Sequence, residues 1–381
     1  MRLVTRVLTS AVAATCLLGV PVPIAPASAA TGDNAVVRWN EVAINTIVAD
    51  GSRATPSASS LYVAITQIAV YDAAMAIEGT HQPYAYFATA PPGASEDAAI
   101  ATAAHDVLVN YFPAQASSVD NEYASALAEI PDGPSKEDGI AVGRASAGAI
   151  IDRRANDGRD APVPAPPDGT QPGEWRRTGP GSVVTPYVAQ VTPFLAESPD
   201  QFQPKGPNPL DSHAYAADYE RTRLYGAKNS SLRTPAQTEI AVFWTENTVR
   251  QYNRGLRDLA TQRQLSVGDS AVLFAMTTVP GADAMITCWN TKFHFLRWRP
   301  VTAIRQGDDD GNAWTVGDPT WEPLSSTALH PEYVSGHACL TGAITRGLEE
   351  FFGTKKIDFS LTSTAVPGVT HTFATVEQLR T

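Results

Sequence analysis

The chain has 381 residues, 43% of them hydrophobic, enough apolar material for a large core in one or two domains. A net charge of −11 and a pI near 5.1 exclude the broad basic footprint of a nucleic-acid-binding protein. Any anion site in such a chain has to be a local cluster of cations.

Met1–Ala29 reads as a secretory leader: Arg2 and Arg6, an apolar run from Val7 through Val22, then Ala27-Ser28-Ala29 as a cleavage site. Pro21, Pro23 and Pro26 argue against a continuous spanning helix there. No later segment reads as long and apolar enough to span, so no membrane contact is expected after leader removal. The expectation is a secreted protein with a single all-α domain over 30–381.

Apolar residues recur at helical spacing from Val36 to Val48, and again at Leu61, Ile65, Ile68 and Met75 in a helix that Gly79 closes. Asp72 lies on the apolar face of the second helix, where it needs a partner unless it is an exposed flank, and the flank is the expectation. Ser95–Tyr111 and Ser135–Arg154 are further predicted helices, the latter with Gly139, Gly143 and Ala147 as a face for close packing. His105 reads as a packed or surface residue. Six prolines between Asp160 and Ser182 exclude helix or central strand and predict a long surface excursion to about Pro209.

Helix resumes over Ser212–Ala227. Thr234-Pro235-Ala236-Gln237 is a capping box with proline at the first helical position, opening a helix to about Leu259. Ser266 caps the next, which Pro280 is expected to kink or break. Asp308-Asp309-Asp310-Gly311-Asn312 lacks calcium-loop spacing and reads as a solvated turn. Zinc spacing, P-loop, nucleophile elbow and dinucleotide fingerprint are all missing from the sequence. Alternation of period two is almost nowhere sustained, so the predicted class is all-α.

Two stretches carry the chemistry. In the first, Lys292 and Arg299 are seven residues apart, about 20° out of line on one helix, so both are expected to reach into one space from one helix face. Trp289 shares that face and can wall the space, and Pro300 is expected to end the helix at Arg299. In the second, Ser335 is a good N-cap for a helix whose apolar residues run from Leu340 to Phe352 before Gly353. Ser335, Gly336 and His337 then sit where free backbone N–H groups and the positive dipole end favour an anion. Gly336 lets the backbone approach it, and His337 can move a proton near neutral pH.

Together these resemble the phosphatidic acid phosphatase type 2/vanadium-dependent haloperoxidase superfamily. Its first motif, Lys, six residues, Arg-Pro, is matched by Lys292, Arg299 and Pro300. Its second, Pro-Ser-Gly-His, is matched by Ser335, Gly336 and His337, with Val334 in the proline position. The stretch from Trp39 through Tyr86 also resembles the opening of secreted bacterial members. The third motif, Ser-Arg, five residues, His, does not follow before Thr381. The chain is therefore expected to be C-terminally incomplete and without the direct vanadium ligand. His371 is not taken as its substitute, because Ala365 stands where the family has arginine.

The resemblance implies a helical bundle holding vanadate, or phosphate in a phosphatase. Lys292, Arg299, Ser335 and the Gly336 N–H would bind the oxyanion, and Lys292 and His337 would act in catalysis around that one guest. Trp289 and His330 would form the wall or halide side. The implied activity is halide oxidation by hydrogen peroxide with an organic acceptor. The alternatives are a secreted acid phosphatase acting on phosphomonoesters and an inert oxyanion-binding remnant. Should the two helices converge, Cys288 and Cys339 are either a disulfide or two buried thiols.

Overall fold

The computed structural model describes residues 34–380; the leader expected over 1–29, with its Cys16, lies outside the described residues. Five helices form the first half: α1 (Ala35–Ala49), α2 (Pro56–Glu78), α3 (Glu96–Tyr111), α4 (Ala116–Ala128) and α5 (Pro134–Arg153). After the excursion come α6 (His213–Gly226), α7 (Pro235–Phe243), α8 (Thr248–Gln262), α9 (Val267–Phe295), α10 (Pro300–Arg305) and α11 (Gly336–Phe352). An antiparallel hairpin, β1 (Lys356–Thr362) and β2 (Thr370–Thr375), and α12 (Val376–Arg380) end the described chain. The class is mostly helical, as the sequence predicts.

The centre is the pair α2 and α9, flanked by α1, α3, α5, α8 and α11. Both are apolar nearly all round, which is what a helix enclosed by others requires. Here one expectation is corrected. These two helices are long and apolar enough to cross a membrane by length and composition, yet 89% and 72% of their apolar windows are buried by neighbouring helices. The expected small-residue face is in place: a Cβ on Gly143 would fall 2.2 Å from the Ala99 carbonyl oxygen, so α5 packs backbone to backbone on α3.

Asp72 is not an exposed flank. It is fully buried and accepts hydrogen bonds from the backbone N–H groups of Tyr84, Ala85 and Tyr86 at 2.6, 2.6 and 2.9 Å. Asp283 on α9 does the same for Phe194, Leu195 and Ala196. Each carboxylate satisfies three amides of a connecting segment and pins it to the core. Tyr84 then donates to the Phe194 carbonyl at 2.7 Å and ties the two segments together.

Four further boundaries differ from expectation. The helix expected from Thr234 to Leu259 is two, because Asn247 caps a fresh start at Thr248 by accepting from Val249 and Arg250 N–H. Pro280 lies inside one continuous α9 and does not break it. The short helix α4 was not legible, having few apolar residues to set a period. The hairpin was also missed, although Ile357, Phe359 and Leu361 do alternate and are buried on one face of β1.

Candidate functional site

α9 ends in a way that decides the geometry of the site. Leu296 adopts a left-handed conformation (φ 46°), and its N–H bonds back to the Lys292 carbonyl, closing the helix at Phe295. The next residues leave the helix and run beside the Pro/Gly-rich excursion: Trp175 N–H donates to Leu296 O at 2.6 Å and Trp298 N–H to Gly173 O at 2.9 Å. Arg299 is thus not on the Lys292 helix at all. It caps α10, with Pro300 at its first position. The expectation of two cations on one helix face is overturned, yet they still converge, because the turn carries Arg299 back toward the segment that Lys292 reaches.

That segment is 331–334, the loop leading into α11. Lys292 is 1% exposed, and its Nζ donates to the carbonyls of Pro331 (3.0 Å), Glu332 (2.7 Å) and Val334. Three donors meet three acceptors, so the ammonium is fully satisfied inside the protein. Burial pulls its pKa below the usual lysine value. The Arg299 guanidinium pairs with the Glu332 carboxylate, Nη1 to Oε2, at 3.0 Å, while its Nε is buried without a hydrogen-bond partner. Glu332 was not singled out in the sequence. The signal was available: two converging cations call for a countercharge, and Glu332 is the only carboxylate of the His330–His337 stretch.

Trp289 holds this corner together. Its ring lies 5.2 Å from the His330 ring, centroid to centroid, and 5.9 Å from Lys292 Nζ. A Cβ on Gly336 would meet the same indole at 3.4 Å, so the first turn of α11 rests against it. The indole N–H donates to the Val184 carbonyl at 3.2 Å. His330 donates from Nδ1 to the Pro331 carbonyl at 2.9 Å, and burial, with Lys292 nearby, pushes its pKa down to about 3. Trp289 and His330 therefore pack together beside the Lys292 ammonium.

Ser335 caps α11 as predicted, its Oγ accepting from Ala338 N–H at 3.3 Å. His337 turns elsewhere. Its Nε2 donates to the Trp244 carbonyl at 2.8 Å, and burial lowers its pKa. The ring opens on a 750 Å³ cavity shared with Ser335, Trp244, Thr341, His371 and Arg380. Neither Lys292 nor Arg299 lines that cavity, so the expected single guest between Lys292 and His337 has no shared space in this conformation. His371 is held by Glu239 (2.9 Å), and Arg380 by Thr345 (2.8 Å) and Glu349 (3.0 Å).

The donor types suit an oxyanion, but their present partners do not leave room for one. Glu332 takes Arg299, and three carbonyl oxygens take every proton of Lys292. Vanadate does not fit this arrangement unless the 331–334 loop yields. Cys288 and Cys339 are free thiols and not the disulfide that the spacing allowed. Among the described residues, no group of three or more metal-ligating side chains is gathered.

The family described as VCPO second helical-bundle domain matches residues 272–379. A vanadium chloroperoxidase of Curvularia inaequalis is 28% identical over 200 residues. That match spans 44% of this chain and 32% of the chloroperoxidase, so the chain accounts for about a third of its relative's length. The crystal structure of the first bacterial vanadium-dependent iodoperoxidase is similar with a TM-score of 0.72 at 22% identity, over 90% of this chain and 88% of its own. An apo-type bacterial vanadium-dependent chloroperoxidase gives 0.64 at 17% identity, over 85% and 86% of the two chains. These two structural likenesses establish the helical-bundle fold.

Proposed function

Because this chain belongs to the vanadium-dependent haloperoxidase superfamily, we propose that it is a haloperoxidase-like protein that takes up vanadate and oxidises halide with hydrogen peroxide. One observation carries the reading. Lys292 from α9 and Arg299 from the cap of α10 converge on the single loop that runs into the N-terminus of α11. A buried and a partly buried cation beside helix-terminal amides form a device for holding a compact anion.

In the conformation described here the device is closed on itself, with the Glu332 carboxylate in the place of an external anion. A bound oxyanion would be held by Lys292, Arg299, the Gly336 N–H and the Ser335 hydroxyl in place of Glu332 and the 331–334 carbonyls. His337 handles a proton from the α11 side, where its Nδ1 remains open while Nε2 is held by Trp244. Vanadate, when bound, supplies the activation of peroxide. Fixed donors around it stabilise charge without reorganising at the moment of reaction. Export is part of the same proposal and rests on the leader-like Met1–Ala29.

The test is a paired assay on the full chain: bromination of a phenol dye with vanadate and peroxide, and hydrolysis of an aryl phosphate without them. Bromination that requires vanadate and is lost in Lys292→Ala supports the proposal. Phosphate-ester hydrolysis without bromination would replace it with the phosphatase reading.

A further inference from the structure

α6 and α10 pack on each other through Tyr215, Tyr219, Trp298 and Trp321, a second and smaller apolar cluster set apart from the main core. Beside it lies a cavity of 290 Å³ to which the proposed function gives no role. Three of these aromatic side chains line it, those of Tyr215, Tyr219 and Trp298. The Tyr215 hydroxyl donates to the Asp310 carboxylate at 3.2 Å and the Tyr219 hydroxyl to the Val316 carbonyl at 2.7 Å, neither of which lines the cavity. What both tyrosines offer a guest is therefore ring. Trp298 is 2% exposed, and among the described residues no acceptor meets its indole N–H. A donor left unmet in the interior is unfavourable, and an acceptor can reach a residue this buried only through the cavity it lines.

The charges on the wall are also uncommitted. Arg297 is partly buried, its guanidinium carbon 5.1 Å from the Tyr215 ring centroid, and it donates from Nη2 to the Asn208 carbonyl at 3.2 Å. Among the described residues no carboxylate pairs with it. Asn208 gives its side-chain amide to Asp218, Nδ2 to Oδ2 at 3.1 Å. Asp218 is exposed at the cavity edge, and no cation pairs with it either. Glu332 lines the cavity too, but its carboxylate is taken by Arg299. One asparagine thus holds an unpaired cation and an unpaired anion on the same wall and keeps them from pairing with each other.

We propose that this cavity binds a small aromatic amino acid, with its ring against Tyr215, Tyr219 and Trp298, its carboxylate on Arg297 and its ammonium on Asp218. The ligand carboxylate has lone pairs for the guanidinium and for the indole N–H. A plain aromatic acid would answer Arg297 but bring a like charge to Asp218. A plain amine would answer Asp218 and leave the guanidinium unpaired. A ligand with both charges a few atoms apart satisfies the two together. The volume, at the small end for ligand pockets, suits one ring with a short polar chain. The Glu332 N–H donates to the Arg297 carbonyl at 2.9 Å and ties this wall to the 331–334 loop. The site is built from its own contacts and does not depend on the halide-oxidation reading.

Fluorine NMR of 4-fluoro-L-phenylalanine titrated with the full chain tests this without vanadate or peroxide. The wild type is expected to broaden the ligand signal with a Kd of about 1 mM or below. 4-Fluorophenethylamine, which lacks the carboxylate, should bind about tenfold more weakly, and 3-(4-fluorophenyl)propanoate, which lacks the ammonium, about threefold. Arg297→Gln should weaken the amino acid about tenfold and no longer tell it from the amine. Asp218→Asn should weaken it about threefold and no longer tell it from the propanoate. No broadening by the wild type would overturn the proposal. So would either truncated ligand binding the wild type as tightly as the amino acid, or undiminished binding in Arg297→Gln or in Asp218→Asn. Asp218 is exposed, so its variant reads the site even where Arg297→Gln folds poorly.

Discussion

Arg299 and Glu332 face each other at 3.0 Å across the loop that leads into α11. Arg299 meets its carboxylate from the cap of α10, while Lys292 meets the carbonyl of the same glutamate from the end of α9. One residue thus answers the buried Lys292 and the partly buried Arg299 from two elements, with one carboxylate against two cations.

Removing that internal anion should help an external one. Glu332→Gln leaves Arg299 unpaired and is expected to tighten vanadate or phosphate binding by about two- to fivefold, the worth of a partly exposed ion pair. Isothermal titration of wild type and variant measures it. Equal or weaker binding in Glu332→Gln means that Glu332 does not compete for the site.

Lys292→Met takes away three charge-assisted hydrogen bonds at once and leaves the carbonyls of Pro331, Glu332 and Val334 without their donor. Orphaned acceptors in this partly buried loop should lower stability by about 2–4 kcal/mol. Denaturant unfolding monitored by tryptophan fluorescence checks this. A change within about 0.5 kcal/mol would mean that water replaces the ammonium without strain on the loop.

Two buried groups give the stability profile opposite slopes with pH. His330 has its pKa pushed down to about 3 from the ordinary 6.5. Below pH 6.5 the unfolded chain binds a proton that the folded one refuses, so stability falls toward pH 3 by up to about 1.4 kcal/mol per pH unit. Glu96 is raised to about 7 from 4.5 by burial and by the facing Glu78. Between those values the folded state keeps a proton that the unfolded state releases, and stability is lost as pH rises through the window. His330→Gln should flatten the acidic loss and Glu96→Gln the other, both read from unfolding midpoints across pH.

The glycines of α5 give a matched pair. Gly143→Ala drives a methyl against the Ala99 carbonyl and should cost about 1–3 kcal/mol. Gly148→Ala, with nothing within 4 Å of the new Cβ, should stabilise the helix by about 0.5–1 kcal/mol. Thermal unfolding of the two variants tests both signs.

What could be read in the sequence was local chemistry. Ser95, Ser212, Thr234, Ser266 and Ser335 each cap a helix with a hydroxyl that accepts a backbone N–H, and each start follows from a single residue type in front of an apolar period. The placement of Arg299 could not be read, because the helix ends at a leucine in a left-handed conformation, where no glycine marks the stop. The turn toward Trp244 taken by His337 depends on a carbonyl 93 residues away in sequence. Asp72 was legible as an acid on an apolar helix; its three amide partners lie in a loop whose path no periodicity encodes.

The central claim is that Lys292 and Arg299 together receive an oxyanion in place of Glu332, and vanadate binding followed by vanadium NMR on the full chain tests it most directly. The account predicts a bound vanadate signal in the wild type, stronger in Glu332→Gln and lost in Arg299→Ala. A bound signal of undiminished intensity in Arg299→Ala, or none at all in Glu332→Gln, would contradict it.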